Sequence, residues 1–375
     1  MKGEYYMSTV RSFVRREPVL VIAALAAVLS CCFVPPDRDY IAYLDLRTLA
    51  LLYCLMTIVN GLRQAGLFAH LAHSLCERAG SLRRIGVLLV LLCFFSSMLI
   101  TNDVALLTFV PFAVVVMGMA HHRKELLYVV VLQTVAANLG SMLTPVGNPQ
   151  NLYLYSYYNL AFVDFLKVTF PVWGLSLLLL LLASLVLRSE PLQLFLGEAP
   201  GMDRRAVAVH LALFAVCLLV VLRLLAWYWM LAILVAVLLV LDRKLLLKAD
   251  FMLLLTFVAF FVFSGNLARI PALAQAIRNL MAGREYLVSL LASQVISNVP
   301  AALLLSGFTE HARALLLGVN IGGLGTPIAS LASLISLKLY THSEHADVGR
   351  FLLVFSLMNL LFLLLLSAFA AAFLL

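Results

Sequence analysis

Apolar runs follow one another along nearly the whole chain, and each is closed by a short polar or basic turn. The first, Val19 to Val34, is opened by Pro18 at a favoured first-turn position and preceded by Arg11, Arg15 and Arg16. Pro35, Pro36, Asp37 and Asp39 then form a loop, and Ile41 to Val59 returns. Gly61 to Arg84 is amphipathic and reads as an interfacial helix ending in a basic turn. Ile85 to Ile100 and Val104 to Ala120 flank the polar trio Thr101-Asn102-Asp103, and the basic cluster from His121 to Lys124 follows. Two full crossings or one re-entrant hairpin would both bring this unit back to its starting side.

Glu125 to Ser141 runs into a break at 144–151, Thr144-Pro145-Val146-Gly147-Asn148-Pro149-Gln150-Asn151, which no ordinary helix can continue. Phe165 to Leu187 is a full span, and Arg188, Arg204 and Arg205 bracket a polar central loop. Ala206 to Leu224 crosses to an aromatic belt at Trp227, Tyr228 and Trp229, Met230 to Leu241 returns, and Phe251 to Ser264 crosses again. A second amphipathic stretch, Asn266 to Glu285, precedes Tyr286 to Ile296. That run makes roughly 16 Å of helix against a hydrocarbon core of roughly 30 Å, so it cannot cross. With the polar tip Ser297-Asn298-Val299-Pro300 and a second short arm ending at Glu310-His311, it reads as a re-entrant hairpin. Ala312 to Gly318 enters a second break, 320–330, and Phe351 to Leu375 is the last span.

The two halves carry the same parts in the same order. Ile100-Thr101-Asn102 aligns with Ile296-Ser297-Asn298, and Asn138 to Val146 aligns with Asn320 to Ile328, matching Asn, Gly, Thr and Pro at the same offsets. The reading is a cytoplasmic N-terminus (1–18), a first repeat (19–187), a cytoplasmic loop and linking helix (188–224) and a second repeat (225–375). Basic loops place the N-terminus in the cytoplasm and the C-terminus outside, which makes the repeats inverted, and by symmetry the first hairpin re-entrant as well. The expected fold is therefore an all-α polytopic membrane protein of two inverted repeats, each with a hairpin and a broken transmembrane helix.

Composition agrees: 64% of residues are hydrophobic and 12% charged, so lipid is the solvent. The net charge of +8 sits in short loops between apolar runs, which speaks for membrane orientation and against nucleic acid. The six cysteines fall mostly in apolar stretches without metal-ligand spacing. Cys31 follows Val28-Leu29-Ser30 as in a lipoprotein site, but the long apolar sequence beyond it makes the first segment a retained span. His121, His122, His342 and His345 lie in basic or amphipathic segments suited to solvent or headgroups. No Ser/His/Asp set, metal cluster or phosphate loop points to an enzyme, and no cofactor is expected beyond Na⁺ as a coupling ion.

Polar backbone at membrane depth belongs where it lines a cavity. Free carbonyls with Thr and Asn oxygens suit a hard cation, and helix N-termini suit an anion. The candidates read from the tips are Thr101, Asn102, Asp103, Ser297 and Asn298 for a cation. For substrate the candidates are Asn102, Asn148, Gln150, Asn151, Asn298, Pro327 and Ser330, with Ser333 placed similarly. The tip residues also suit ordinary turn caps, and the amides from Asn148 to Asn151 could equally satisfy loop backbone. Asp103 is read as a cation ligand or proton site, a role compatible with capping the second hairpin arm. Val299 stands at the matching position of the second half.

At these residues the sequence resembles the ion transporter superfamily of arsenite permeases, Na⁺/H⁺ antiporters and citrate or dicarboxylate carriers. The phrases that carry the likeness run from Thr101 to Leu106, from Thr144 to Asn151 and from Ser297 to Pro300, and they are most similar to a bacterial anion-permease-like subgroup. The resemblance implies an elevator-type transporter in a bacterial inner membrane, a homodimer through a scaffold domain. It implies one cation site at Thr101, Asn102, Gly147 and Asn148 and another at Ser297, Asn298, Gly325 and Thr326. Asp103 and Val299 stand where the dicarboxylate carriers have Thr, while the arsenite permeases similarly have Asn-Asp at the first tip. The expected activity is Na⁺- or H⁺-coupled transport of a small anion, a carboxylate or inorganic oxyanion, with a Na⁺/H⁺ antiporter using Asp103 as the alternative.

Overall fold

A computed structural model describes residues 13–14, 17–77, 79–119, 123–191, 199–343 and 346–375. Arg11, Arg15, Arg16, His121, His122 and His345 lie outside the described residues. Seventeen α-helices make up the described chain. They are α1 Pro18–Cys31, α2 Leu46–Gln64, α3 Leu67–Glu77, α4 Leu82–Ile100, α5 Asn102–Met119, α6 Arg123–Ser141, α7 Pro149–Tyr157 and α8 Phe162–Ser184. After α9 Arg204–Val221 come α10 Trp227–Leu241, α11 Phe251–Ala268, α12 Pro271–Met281, α13 Glu285–Ile296, α14 Asn298–Leu305, α15 Ala312–Ile321, α16 Leu331–Thr341 and α17 Val348–Phe373. Among the described residues, six helical segments are long and apolar enough to cross a membrane. The protein is a multi-pass membrane protein.

Helix starts are set by side chains at the ends of the apolar runs. Asp45, Asp203, Asp250 and Asp347 each accept a bond from a first-turn backbone N–H of α2, α9, α11 and α17. Both amphipathic stretches turn out shorter than the sequence reading. Helix α2 continues through Gly61 and Arg63 to Gln64, and Gly66, at φ +81°, turns the chain into α3. Ser81 then caps α4, so Arg83 and Arg84 belong to the hairpin's first arm. Likewise α11 runs past Asn266 to Ala268, and Pro271 opens a separate α12. The break boundaries also move: Asn320 is still helical and Pro149 to Asn151 already helical, leaving 142–148 and 322–330 as the non-helical segments.

The same succession of eight helices occurs on either side of α9, and it packs reciprocally. Helix α1 lies against α11 while α10 lies against α2; α5 lies against α16 while α14 lies against α7. Within each half the first hairpin arm packs along the helix that breaks, α4 on α6 and α13 on α15. Glycine makes that approach close. A Cβ on Gly140 would meet the Phe94 carbonyl, with Ser97 Oγ 2.5 Å away, and one on Gly322 would meet Ser293 Cβ at 2.9 Å and Leu290 Cα at 3.0 Å. These partners hold corresponding places on α4 and α13. One end of the α1–α11 pair is tied by Arg269 Nη2 to Asp37 at 2.6 Å and by Asn266 Nδ2 to Ser30 Oγ at 2.9 Å.

Candidate functional site

Each hairpin turns on a single non-helical residue. Thr101 has φ 71° and ψ 151°, and Ser297 has φ 72° and ψ 154°. This is a region in which L side chains are strained, at about 1–3 kcal/mol each, and both tips adopt it alike. The following asparagine closes the turn: Asp103 N donates to Asn102 Oδ1 at 3.0 Å, and Val299 N donates to Asn298 Oδ1 at 2.9 Å. The cap on α5 is thus supplied by Asn102, not by Asp103 as the sequence reading allowed. Asp103 Oδ1 is buried and has no hydrogen-bond partner among the described residues. Substituting Ser297→Gly is expected to leave the thermal midpoint about unchanged, because the strain released offsets the lost Oγ bond to the Ala329 carbonyl. Ser293→Gly, one turn earlier in α13, is expected to lose about 1 kcal/mol, roughly half from helix propensity and the rest from the lost bond to the Ser289 carbonyl. Thermal unfolding of the two purified variants checks the contrast.

The breaks are fastened to the hairpins in matching ways. Thr144 Oγ1 donates to the Met98 carbonyl, and Thr326 Oγ1 donates to the Gln294 carbonyl at 3.0 Å. Asn148 caps α7 by accepting from Asn151 N at 2.9 Å, ahead of Pro149 in the first turn. Asn298 N and Ser297 Oγ donate to the Ala329 carbonyl at 3.0 and 3.3 Å, which seats the second tip on the second break.

Two asparagines bind the halves to each other. Asn138, on α6, accepts at Oδ1 from Asn102 Nδ2 at 3.1 Å and from Ser330 Oγ at 3.0 Å, and its Nδ2 points to the Gly323 carbonyl at 3.5 Å. Its counterpart Asn320, on α15, accepts from Asn148 Nδ2 at 3.2 Å and donates to Asn151 Oδ1 at 2.7 Å. Each helix before a break therefore holds the break of the opposite half. Neither residue was among the candidates, although their equal offset from the Thr-Pro pairs was the available signal. Gln294 was also missed. Its amide donates to the Gly322 and Leu324 carbonyls at 2.7 and 2.9 Å and its Oε1 accepts from Thr326 N at 3.0 Å. Met98 holds the matching place on α4, so no sequence symmetry flagged it.

Two cavities reach this core, of about 240 and 730 Å³. Thr101 and Asn148 line the smaller and Ser297 the larger, and Asp103, Asp250, Leu253 and Ile335 line both. Arg63 and Lys248 border the smaller cavity, and Glu17 and Lys338 the larger. Burial, with the neighbouring Asp250 carboxylate, pushes the Glu17 carboxyl above its ordinary range.

Of the sequence candidates, Thr101, Asn102, Asp103, Asn148, Ser297, Asn298 and Ser330 thus gather around one buried polar core. Gly147 lies in the first break, where a Cβ would strike the Ser141 carbonyl. Asn151 is fully buried and spends its amide on the Met142 and Thr144 carbonyls at 3.1 and 3.3 Å and its Oδ1 on Asn320, which fixes the loop. Gln150 is buried in the first turn of α7. Gly325, Thr326 and Pro327 line neither cavity, and Thr326 is exposed. Gly325, at φ +101°, serves a turn closed to other residues, and Thr326 ties it to Gln294. Ser333, at the position matching Asn151, leaves a buried Oγ without a partner among the described residues. No group of three His, Cys, Asp or Glu among the described residues could hold a metal. The available donors are amides, hydroxyls, helix-end carbonyls and carboxylates, all hard ligands.

A family model described as Citrate transporter matches residues 7–314. The chain belongs to the citrate transporter family. An uncharacterized transporter of Methanocaldococcus jannaschii is 32% identical over 337 residues, covering 87% of this chain and 90% of that protein. The inner membrane protein YbiR of Escherichia coli is 33% identical over 313 residues, covering 82% and 83%. A silicon efflux transporter of rice, Oryza sativa, is 32% identical over 164 residues, 42% of this chain and 33% of that protein. This member of the family is a membrane transporter.

Proposed function

We propose that the protein is a secondary active transporter that moves a small anion, a carboxylate or an inorganic oxyanion, coupled to Na⁺ or H⁺. The observation that carries the reading is the doubled site: two tips with one shared backbone conformation, two breaks, and two asparagines that cross between them. Helix-end carbonyls and the Thr101, Asn102, Asn148, Ser297 and Asn298 oxygens supply hard, neutral ligands of the kind Na⁺ takes. The N-termini of α5, α7, α14 and α16 supply N–H groups for an anion without a buried Lys or Arg. Reciprocal packing of the two eight-helix series supports an inverted repeat, with α1, α2, α9, α10 and α11 as the scaffold and the hairpins and broken helices as an elevator-type moving part. The cavities around Asp103 open beside Arg63, Lys248 and Lys338, residues on the side that the basic loops assign to the cytoplasm, which supports reading the state as inward-facing. A homodimer in a bacterial inner membrane completes the reading.

One observation favours a second reading, a Na⁺/H⁺ antiporter: Asp103 lines both cavities, and its Oδ1 is buried without a hydrogen-bond partner among the described residues, as suits a shared proton and cation site. Proteoliposome uptake separates the two. A panel of small carboxylates and inorganic oxyanions, with silicic acid added because of the rice relative's name, is offered under an imposed Na⁺ or pH gradient. Accumulation of one anion that needs the gradient is the expected result. Dissipation of a pH gradient by Na⁺ alone would establish the antiporter, and solute flux indifferent to any gradient would defeat both.

A further inference from the structure

Away from the tips and breaks, the turn between α9 and α10 borders an open surface cavity of about 310 Å³ lined by Arg47, Arg223, Leu224, Leu225, Ala226 and Trp227. Two guanidiniums border it, with the Asp45 carboxylate near that of Arg47. Among the described residues neither stands within ion-pair distance of a carboxylate, in contrast to Arg269, which pairs with Asp37. Each is anchored by one bond to a backbone carbonyl. Arg47 Nη2 donates to Val220 O at 3.2 Å, and Arg223 Nη1 donates to Asn159 O at 3.3 Å. Most of the five N–H donors on each fork remain unclaimed.

The placement of Arg223 is held at some cost. Its backbone is left-handed, φ 64°, a conformation unusual for a long side chain, and its guanidinium lies 5.3 Å from the centre of the Tyr155 ring. Tyr155 in turn donates to Val221 O at 2.9 Å, which fixes the end of α9 against α7. The neighbouring Tyr228 and Trp229 are exposed, as interfacial aromatics are.

We propose that Arg47 and Arg223 form a binding site for a phosphate-type oxyanion on the face bearing the α9–α10 turn. Two guanidinium forks lining one cavity beside an aromatic belt suit an oxyanion in charge and in hydrogen-bonding capacity. The oxyanion is either the headgroup of an anionic phospholipid or phosphate free in solution. The site stands apart from the tips and breaks and does not depend on which solute is transported.

Purified protein is titrated with sodium phosphate at constant ionic strength, and separately with phosphatidylglycerol against phosphatidylcholine, reading the shift in thermal midpoint. A saturable rise with phosphate assigns a soluble ligand. A rise with phosphatidylglycerol only assigns a lipid headgroup. In Arg47→Gln and Arg223→Gln the half-saturating concentration is expected to increase by about tenfold or more, as for loss of one charged contact. Arg38→Gln, an exposed arginine outside the cavity, is expected to keep the wild-type response. If either Gln variant does not survive purification, Arg→Lys at that position, which keeps the charge but not the fork, is expected to weaken binding in the same titration. No rise with either probe, or a rise that all the cavity variants retain, overturns the site.

Discussion

Asp103→Asn is expected to lower gradient-driven uptake by about a hundredfold or more and to leave the fold intact. A hundredfold corresponds to about 2.7 kcal/mol, close to the cost of keeping a carboxylate at membrane depth. The substitution is nearly isosteric and removes no hydrogen bond among the described residues, where Asp103 Oδ1 has no partner and the turn is closed through Asp103 N and Asn102 Oδ1. The thermal midpoint should therefore stay the same or rise as a buried charge is removed. Uptake and counterflow in proteoliposomes distinguish two losses: counterflow surviving without accumulation means that coupling alone is gone, and loss of both means that solute binding needs the charge. Unchanged accumulation would reduce Asp103 to a passive first-turn residue.

Gly140→Ala is expected to have the largest effect on assembly. Its new methyl would be driven into the Phe94 carbonyl, backbone that belongs to α4 and cannot swing aside as a side-chain end could. Overpacking of this kind costs about 1–3 kcal/mol, and here it would prise α4 from α6 and shift Asn138, which holds both the first tip and the second break. Gly322→Ala meets Ser293 Cβ and Leu290 Cα and should behave similarly in the second half. Gly174→Ala on α8 meets nothing within 4 Å and should stabilise by roughly 0.5–1 kcal/mol through helix propensity. Thermal unfolding in detergent, with yield of monodisperse protein, ranks the three. Equal midpoints would mean that the halves do not depend on these close helix approaches.

Much of this arrangement was legible in the sequence because lipid allows few alternatives. The run to Ile296 was too short to cross, so a turn had to follow it, and the Asn, Gly, Thr and Pro that recur at one spacing marked where helices must stop. Helix ends were less legible, since apolar periodicity does not say where a helix leaves the membrane. Gly61 and Arg63 looked interfacial but continue α2, and only the left-handed Gly66 ends that stretch. Within the site, residue type suggested chemistry but not direction. Asn151 and Thr326 have donor groups as suitable as those of Asn102, yet they spend them on nearby backbone. Asn138 and Asn320, embedded in apolar helix, owe their importance to partners about 180 residues away in the other half.

Those two crossed amides tie the state of one half to that of the other. An occupant that drew the Gly323 carbonyl or the Ser330 hydroxyl towards itself would tug on the same side chain that steadies Asn102, and linkage makes the effect mutual. Damage at either half is then expected to register as altered affinity in its twin.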